Sequence, residues 1–166
     1  IRIMADSTCD LSQELLQQYE IQTVPLNIVL DATAFQDGVE ISPDEIYAWS
    51  ESHKTTPKTS AMTPGTAIAA LRAASAPGQA VICFCISEQK SSAAQVMRLA
   101  AEELPDRRVF VIDSQNLSTG IGLQVLYAAE LARQGVAAEQ IVSLVEQRRE
   151  RVRASFVVDT LTYLYR

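Results

Sequence analysis

The chain has 166 residues, three cysteines, one histidine and a formal net charge of −6, from 14 Lys+Arg against 20 Asp+Glu. That length suits one domain, since chains split only beyond about 250–300 residues, and 48% apolar residues supply ample material for a core. The acidic balance argues against nucleic-acid binding, which needs a basic field, and a single histidine, His53, excludes zinc sites built on two or three imidazoles.

The first residues, Ile1 to Ala5, read as a strand and not a signal peptide, because the apolar stretch is too short and no cleavage site follows. The polar turn Asp6-Ser7-Thr8-Cys9-Asp10 ends it. Leu11 to Tyr19 follows as a short helix with Asp10 as N-cap. Thr23 to Leu30 returns to strand, with Pro25 near its start pointing to a sheet edge, and Phe35-Gln36-Asp37-Gly38 reads as a turn. Ser42-Pro43-Asp44-Glu45 then opens a helix with an N-cap serine, a proline at its first position and the glutamate of a capping box. This helix runs to about Ser50, and its Ile46, Tyr47 and Trp49 are expected in the core. Glu51 to Thr63 is a polar loop in which His53 reads as solvated surface.

Thr63-Pro64 starts the next helix, and Pro77-Gly78 stops it. Ala80 to Ile86 is a nearly continuous apolar run, as expected of a strand buried on both faces. Ser87 ends it, and Ser91-Ser92 precede a helix through Leu104. Val109 to Ile112 is a further buried strand, ended by Asp113-Ser114. Leu117 to Gln134 is a long helix closed by Gly135. Another spans about Ala138 to Arg153, and Ser155 to Val158 reads as a last strand. The alternation of strand and helix predicts a three-layer α/β fold, a mostly parallel sheet with helices on both faces.

Cys83 and Cys85 lie two apart in a strand and so share a face, where bridging them would strain the geometry. With Cys9 they read as small core residues in a reducing cytosol, with a metal or redox role as the alternative. No apolar run reaches the ~18 residues of a membrane span. The expected setting is the cytoplasm.

Three strands end in small polar residues, at Asp6-Ser7-Thr8, Ser87 and Asp113-Ser114. Open parallel sheets bind ligands beyond the carboxyl ends of their strands, so these residues either gather at a ligand rim or simply cap turns and helices. No nucleotide P-loop and no G-x-S-x-G serine is present, and Gly120-Ile121-Gly122 is only a weak dinucleotide signal. Hydroxyls and helix N-termini remain. Ser91-Ser92 at a helix start offers free N–H groups and a positive dipole end, which can hold an anion without a cationic side chain. The cluster Arg148, Arg149, Arg151 and Arg153, interleaved with Glu146 and Glu150, reads as a solvated helix face, with docking of an acidic partner as the alternative.

Several segments together resemble the DegV family. Asp6-Ser7-Thr8-Cys9-Asp10-Leu11 is similar to its D-S-T-x-D-L opening, and Val24-Pro25-Leu26 follows in place. Phe35-Gln36-Asp37-Gly38-Val39-Glu40-Ile41 looks like its aromatic-x-D-G-x-x-[IL] segment. Pro57-Lys58-Thr59-Ser60 resembles its P-x-T-S loop, Ile86-Ser87-Glu88-Gln89-Lys90-Ser91 its I-S-x-x-x-S step, and Val111-Ile112-Asp113-Ser114 its V-x-D-S strand end. Two segments depart from the pattern: Ser91-Ser92-Ala93 stands where the family reads S-G-T, and Thr59-Ser60-Ala61-Met62 where it reads T-S-Q-P.

The resemblance implies a protein that binds a long-chain fatty acid. The carboxylate is then held by Thr59 and Ser91, with Ser60 and Ser92 beside them, and the acyl chain is buried between two domains. It further implies a non-catalytic, acyl-carrying subunit that presents the carboxylate to an ATP-dependent fatty acid kinase, with the fatty acid as its ligand and no cofactor or metal of its own. On the same terms residues 1–166 form a single α/β domain, the N-terminal part of a longer two-domain protein. Two other classes stay open on the residues alone: an acyl- or phosphoryl-transfer enzyme using Asp6 or Asp113, and a protein-interaction domain.

Overall fold

A computed structural model describes residues 1–159 and 161. In chain order the strands and helices are β1 (Arg2–Asp6), α1 (Gln13–Gln18), β2 (Gln22–Val24), β3 (Asn27–Leu30), β4 (Thr33–Gln36), α2 (Pro43–His53) and β5 (Lys58–Ser60). They continue with α3 (Pro64–Ala74), β6 (Ala80–Cys85), α4 (Ala93–Glu102), β7 (Arg108–Asp113), α5 (Thr119–Arg133) and α6 (Ala138–Arg149).

Four strands form an all-parallel sheet in the order β2-β1-β6-β7. Strand alternation sends neighbouring side chains to opposite faces, and each face has its own apolar cluster. Ile3 and Ala5 of β1 and Ile82 and Phe84 of β6 join Ile121 and Val125 of α5 and Ile141 and Val145 of α6. Met4, Val81, Cys83 and Cys85 point the other way, to Leu71 of α3 and Met97 of α4. Helices therefore cover both faces, and every residue of β6 is buried, which is why its sequence is a continuous apolar run instead of an alternating one. The three-layer α/β expectation holds.

The cysteines are all free and buried, with Cys83 and Cys85 on the same face. A hydrogen bond with the Cys83 thiol, reinforced by burial, pushes the Cys85 thiol well above its ordinary range. It stays protonated and inert at neutral pH.

A small antiparallel sheet, β4-β3-β5, lies beside the parallel one and corrects three expectations. The single strand expected over Thr23 to Leu30 is divided. Pro25 has no N–H to continue the ladder, Leu26 donates its N–H to Ser7 Oγ at 3.2 Å, and Asn27 enters the second sheet. The turn expected at Phe35 begins only after Gln36, with Gly38 at φ 70°. The polar loop expected from Glu51 holds the end of α2 and the three-residue strand β5, which exists because β3 pairs with it.

Further differences are local. Ser12, not Asp10, caps α1 by accepting from Leu15 N, while Asp10 adopts a left-handed conformation at φ 49°. Helix α6 stops at Arg149, and Ser155 to Val158 form no strand. Helix α2 has its capping box, yet it buries no residue and lies outside both apolar clusters. Tyr47 is 65% exposed, and Trp49 stacks on His53 with ring centroids 4.6 Å apart. Interspersed acids and serines deny this helix a continuous apolar face, so its aromatics are not core. Within the arginine cluster, Arg149 ties α6 to the parallel sheet, since its Nη1 donates to Asp113 O at 2.7 Å.

Candidate functional site

The carboxyl end of β1 is tied to the neighbouring strand by Asp6. Its Oδ1 accepts from Thr8 N at 3.1 Å and from Thr8 Oγ1 at 2.5 Å, and its Oδ2 accepts from Ile86 N at 2.7 Å. Desolvation by burial raises its carboxyl above the ordinary value, although the bonds from Thr8 and Ile86 pull the other way. Ser7 Oγ fixes Leu26. Asn27 Nδ2 then donates to Ser60 Oγ at 3.3 Å and to Ala61 O at 2.9 Å, which holds the end of β5 against β3. Thr59 stands opposite Ile28 in that pair.

The segment between β6 and α4 is turned by its own backbone. Lys90 N and Ser91 N both donate to Ser87 O, at 2.8 and 3.1 Å. Ser91 Oγ accepts from Ala93 N at 3.2 Å, while Ser92, the N-cap, makes no capping bond through its side chain. The positive end of α4 therefore begins beside two hydroxyls.

These pieces enclose one pocket of about 470 Å³, lined by Thr8, Leu26, Ile28, Asp37, Thr59, Ser60, Ala61, Ile86, Lys90, Ser91 and Ser92. That volume is typical of small-molecule sites. Thr59, Ser60, Ser91 and Ser92, expected at one site from the sequence, do line the same cavity. They come from two sheets: β5 supplies the first pair and the loop after β6 the second. Leu26, Ile28, Ala61 and Ile86 form the apolar wall.

The other polar strand ends behave as turn caps. Asp113 Oδ1 accepts from Glu88 N at 3.2 Å and from Gln115 N at 2.9 Å, and Ser87 Oγ accepts from Gln89 N at 3.3 Å. Neither Asp6, Ser87, Asp113 nor Ser114 lines the pocket; Asp6 acts from behind it, by holding Thr8 and Ile86. The weak glycine signal is packing as well. A Cβ on Gly122 would meet Cys9 O at 2.8 Å.

Of the strand-end residues expected at a ligand rim, Thr8 does line the pocket, whereas Asp37 and Lys90 were missed by sequence reasoning. It also expected an anion site without a cation, whereas Lys90 belongs to the lining. The signal was present, since Lys90 directly precedes Ser91, but only the turn after Ser87 shows which of three polar neighbours faces the cavity.

A larger groove, about 670 Å³, runs between α5 and α6 past Tyr127 and Arg148 and shares no residue with the hydroxyl pocket. Among the described residues no group of three or more His, Cys, Asp or Glu could hold a metal ion, and no helix is long and apolar enough to cross a membrane.

Comparison with known proteins gives a consistent result. The model of the "Uncharacterised protein, DegV family" matches residues 1–166. A DegV domain-containing protein of Clostridium perfringens is 33% identical over 166 residues, covering 100% of this chain and 60% of that protein. The chain thus spans well under two thirds of that relative's length. Among solved structures, a DegV family protein from Thermus thermophilus described by its fatty acid binding superposes with a TM-score of 0.80 at 34% identity, over 90% of this chain and 53% of the other. A stearic acid-binding protein from Eubacterium ventriosum gives a TM-score of 0.80 at 30% identity, over 87% and 52%. From its first residue to its last, this chain belongs to the DegV family.

Proposed function

We propose that this chain binds a long-chain fatty acid, holds the carboxylate with Thr59, Ser91 and their neighbours Ser60 and Ser92, and presents it to an ATP-dependent kinase partner. The observation that carries the reading is the meeting of these four hydroxyls, from two separate sheets, in one apolar-walled pocket of a chain whose DegV relatives include fatty-acid binders.

The energetics suit such a ligand. Charge-assisted hydrogen bonds contribute about 1.5–3 kcal/mol each, enough to orient one head group but not to bind it tightly. Burying roughly fifteen methylenes at ~0.8 kcal/mol each gives about 12 kcal/mol gross, from which ordering costs subtract a large part. In a protein of its relatives' length, residues outside this chain complete the acyl tunnel. The pocket lies open beside the start of α4, so a bound carboxylate stays within reach of a second protein. Phosphorylation there makes an acyl phosphate, with the nucleotide supplied by the partner. Transfer chemistry through Asp6 or Asp113 has less support, because the backbone bonds above already engage both carboxylates.

Calorimetric titration with palmitate tests the reading. Thr59→Ala and Ser91→Ala are each expected to weaken binding about tenfold, the loss of one charge-assisted bond, while Asp113→Asn leaves affinity unchanged. Equal affinity in all four proteins would contradict the assignment.

A further inference from the structure

The hydroxyl pocket has one cationic side chain in its lining, and that side chain has no counter-ion among the described residues. Lys90 is exposed and belongs to the wall beside Ser91 and Ser92. Its backbone is fixed, because its N–H donates to Ser87 O at 2.8 Å within the turn that leads into α4. The acid nearest to it along the loop is engaged elsewhere: Glu88 pairs with Arg98. Among the described residues no ion pair includes Lys90. Asp37 is the one carboxylate in the same lining, and it has no ion-pair partner there either. In a chain of net charge −6, an unpaired lysine at the mouth of an apolar cavity, next to a helix start, is a local reversal of sign.

We infer that Lys90 is the counter-ion of the ligand head group and makes this pocket discriminate ionised acyl ligands from neutral ones of the same chain length. The inference rests on the fatty-acid reading above and narrows it. Hydroxyls and backbone amides donate to a carboxylate, but they also donate to the oxygen of an alcohol or an ester, so they give little selection by charge. A flexible ammonium supplies that selection. Its four-carbon stem lets it follow the head group at the pocket mouth, and its contribution falls as salt screens it, because the site is open to solvent.

The test compares palmitate with hexadecanol, two ligands alike in chain and different in charge, in the full chain and in Lys90→Met, at about 50 and 500 mM salt. Methionine keeps the length and apolar character of the stem. The expected result is that the unmodified chain prefers palmitate, and that the variant binds palmitate about five- to tenfold more weakly while its affinity for hexadecanol is unchanged. The salt dependence of palmitate binding should also largely disappear in the variant. Equal weakening of both ligands, or palmitate binding in the variant with unaltered affinity and salt dependence, overturns the role of Lys90. An unmodified chain that binds both ligands equally overturns charge selection while leaving lipid binding intact. An unmodified chain that binds neither overturns the fatty-acid reading itself.

Discussion

Asp6 shows how a single side chain can build a site without entering it. It is buried, accepts three hydrogen bonds, and joins the two strand ends that deliver Thr8 and Ile86 to the pocket. Asparagine cannot replace it without loss, since its amide would set one donor against another and leave a buried N–H unbonded, at about 1–3 kcal/mol. The pH dependence follows from the raised carboxyl value. Below the unfolded-state value, about 3.9, both states are protonated and Asp6 contributes its full stabilisation. As pH climbs through the higher folded-state value, the folded protein holds its proton longer than the unfolded chain does, and that increment is lost. Denaturant unfolding of the native chain and Asp6→Asn between pH 3 and 8 should therefore show the variant's deficit greatest at acid pH and narrowing toward neutrality. A deficit that widens with pH would reverse the sign. At this scale the sequence was informative about Thr59 and Ser91, which stand in recognisable motifs. It said little about Lys90, because the side chains of Glu88, Gln89 and Lys90 are equally polar and only the fold orders them around the cavity.

Among the elements, α5 and α3 carry a contrasting pair of glycines. Gly122 lies where a Cβ would come within 2.8 Å of Cys9 O and 2.9 Å of Leu11 Cδ2, so the helix can approach the turn after β1 only without a side chain. Gly65, in the first turn of α3, has Thr63 Oγ1 at 3.8 Å as its nearest neighbour and is exposed. Gly122→Ala should cost about 1–3 kcal/mol through overpacking, whereas Gly65→Ala should stabilise by a few tenths up to about 1 kcal/mol. Thermal unfolding distinguishes them, and similar midpoints would contradict the packing explanation. Helix starts were legible in advance where a cap has its own chemistry, as at Ser42 and Thr63. The small antiparallel sheet was not. β5 is three polar residues long, and what makes it a strand is pairing with β3, some thirty residues earlier, a contact with no local signature. Trp49 misleads for a related reason: an aromatic residue reads as core until the whole face of α2 is known to be unburied.

For the whole molecule, the parallel sheet is a platform with two filled faces, and the carboxyl ends of β1 and β6 lead to a cavity that combines serine and threonine hydroxyls, a cation and an apolar wall. The layer architecture was readable because periodicity and continuous apolar runs report burial directly. The cavity was not, since it forms where the second sheet meets the first and its wall residues Leu26 and Ile28 look like ordinary strand residues. Native mass spectrometry of the protein as its own cell makes it measures the central claim most directly. The expected spectrum carries a bound species of fatty-acid mass that is lost on denaturation and depleted in Ser91→Ala. Protein that arrives empty, and that takes up neither palmitate nor oleate when they are supplied, would contradict the assignment of this pocket to a fatty acid.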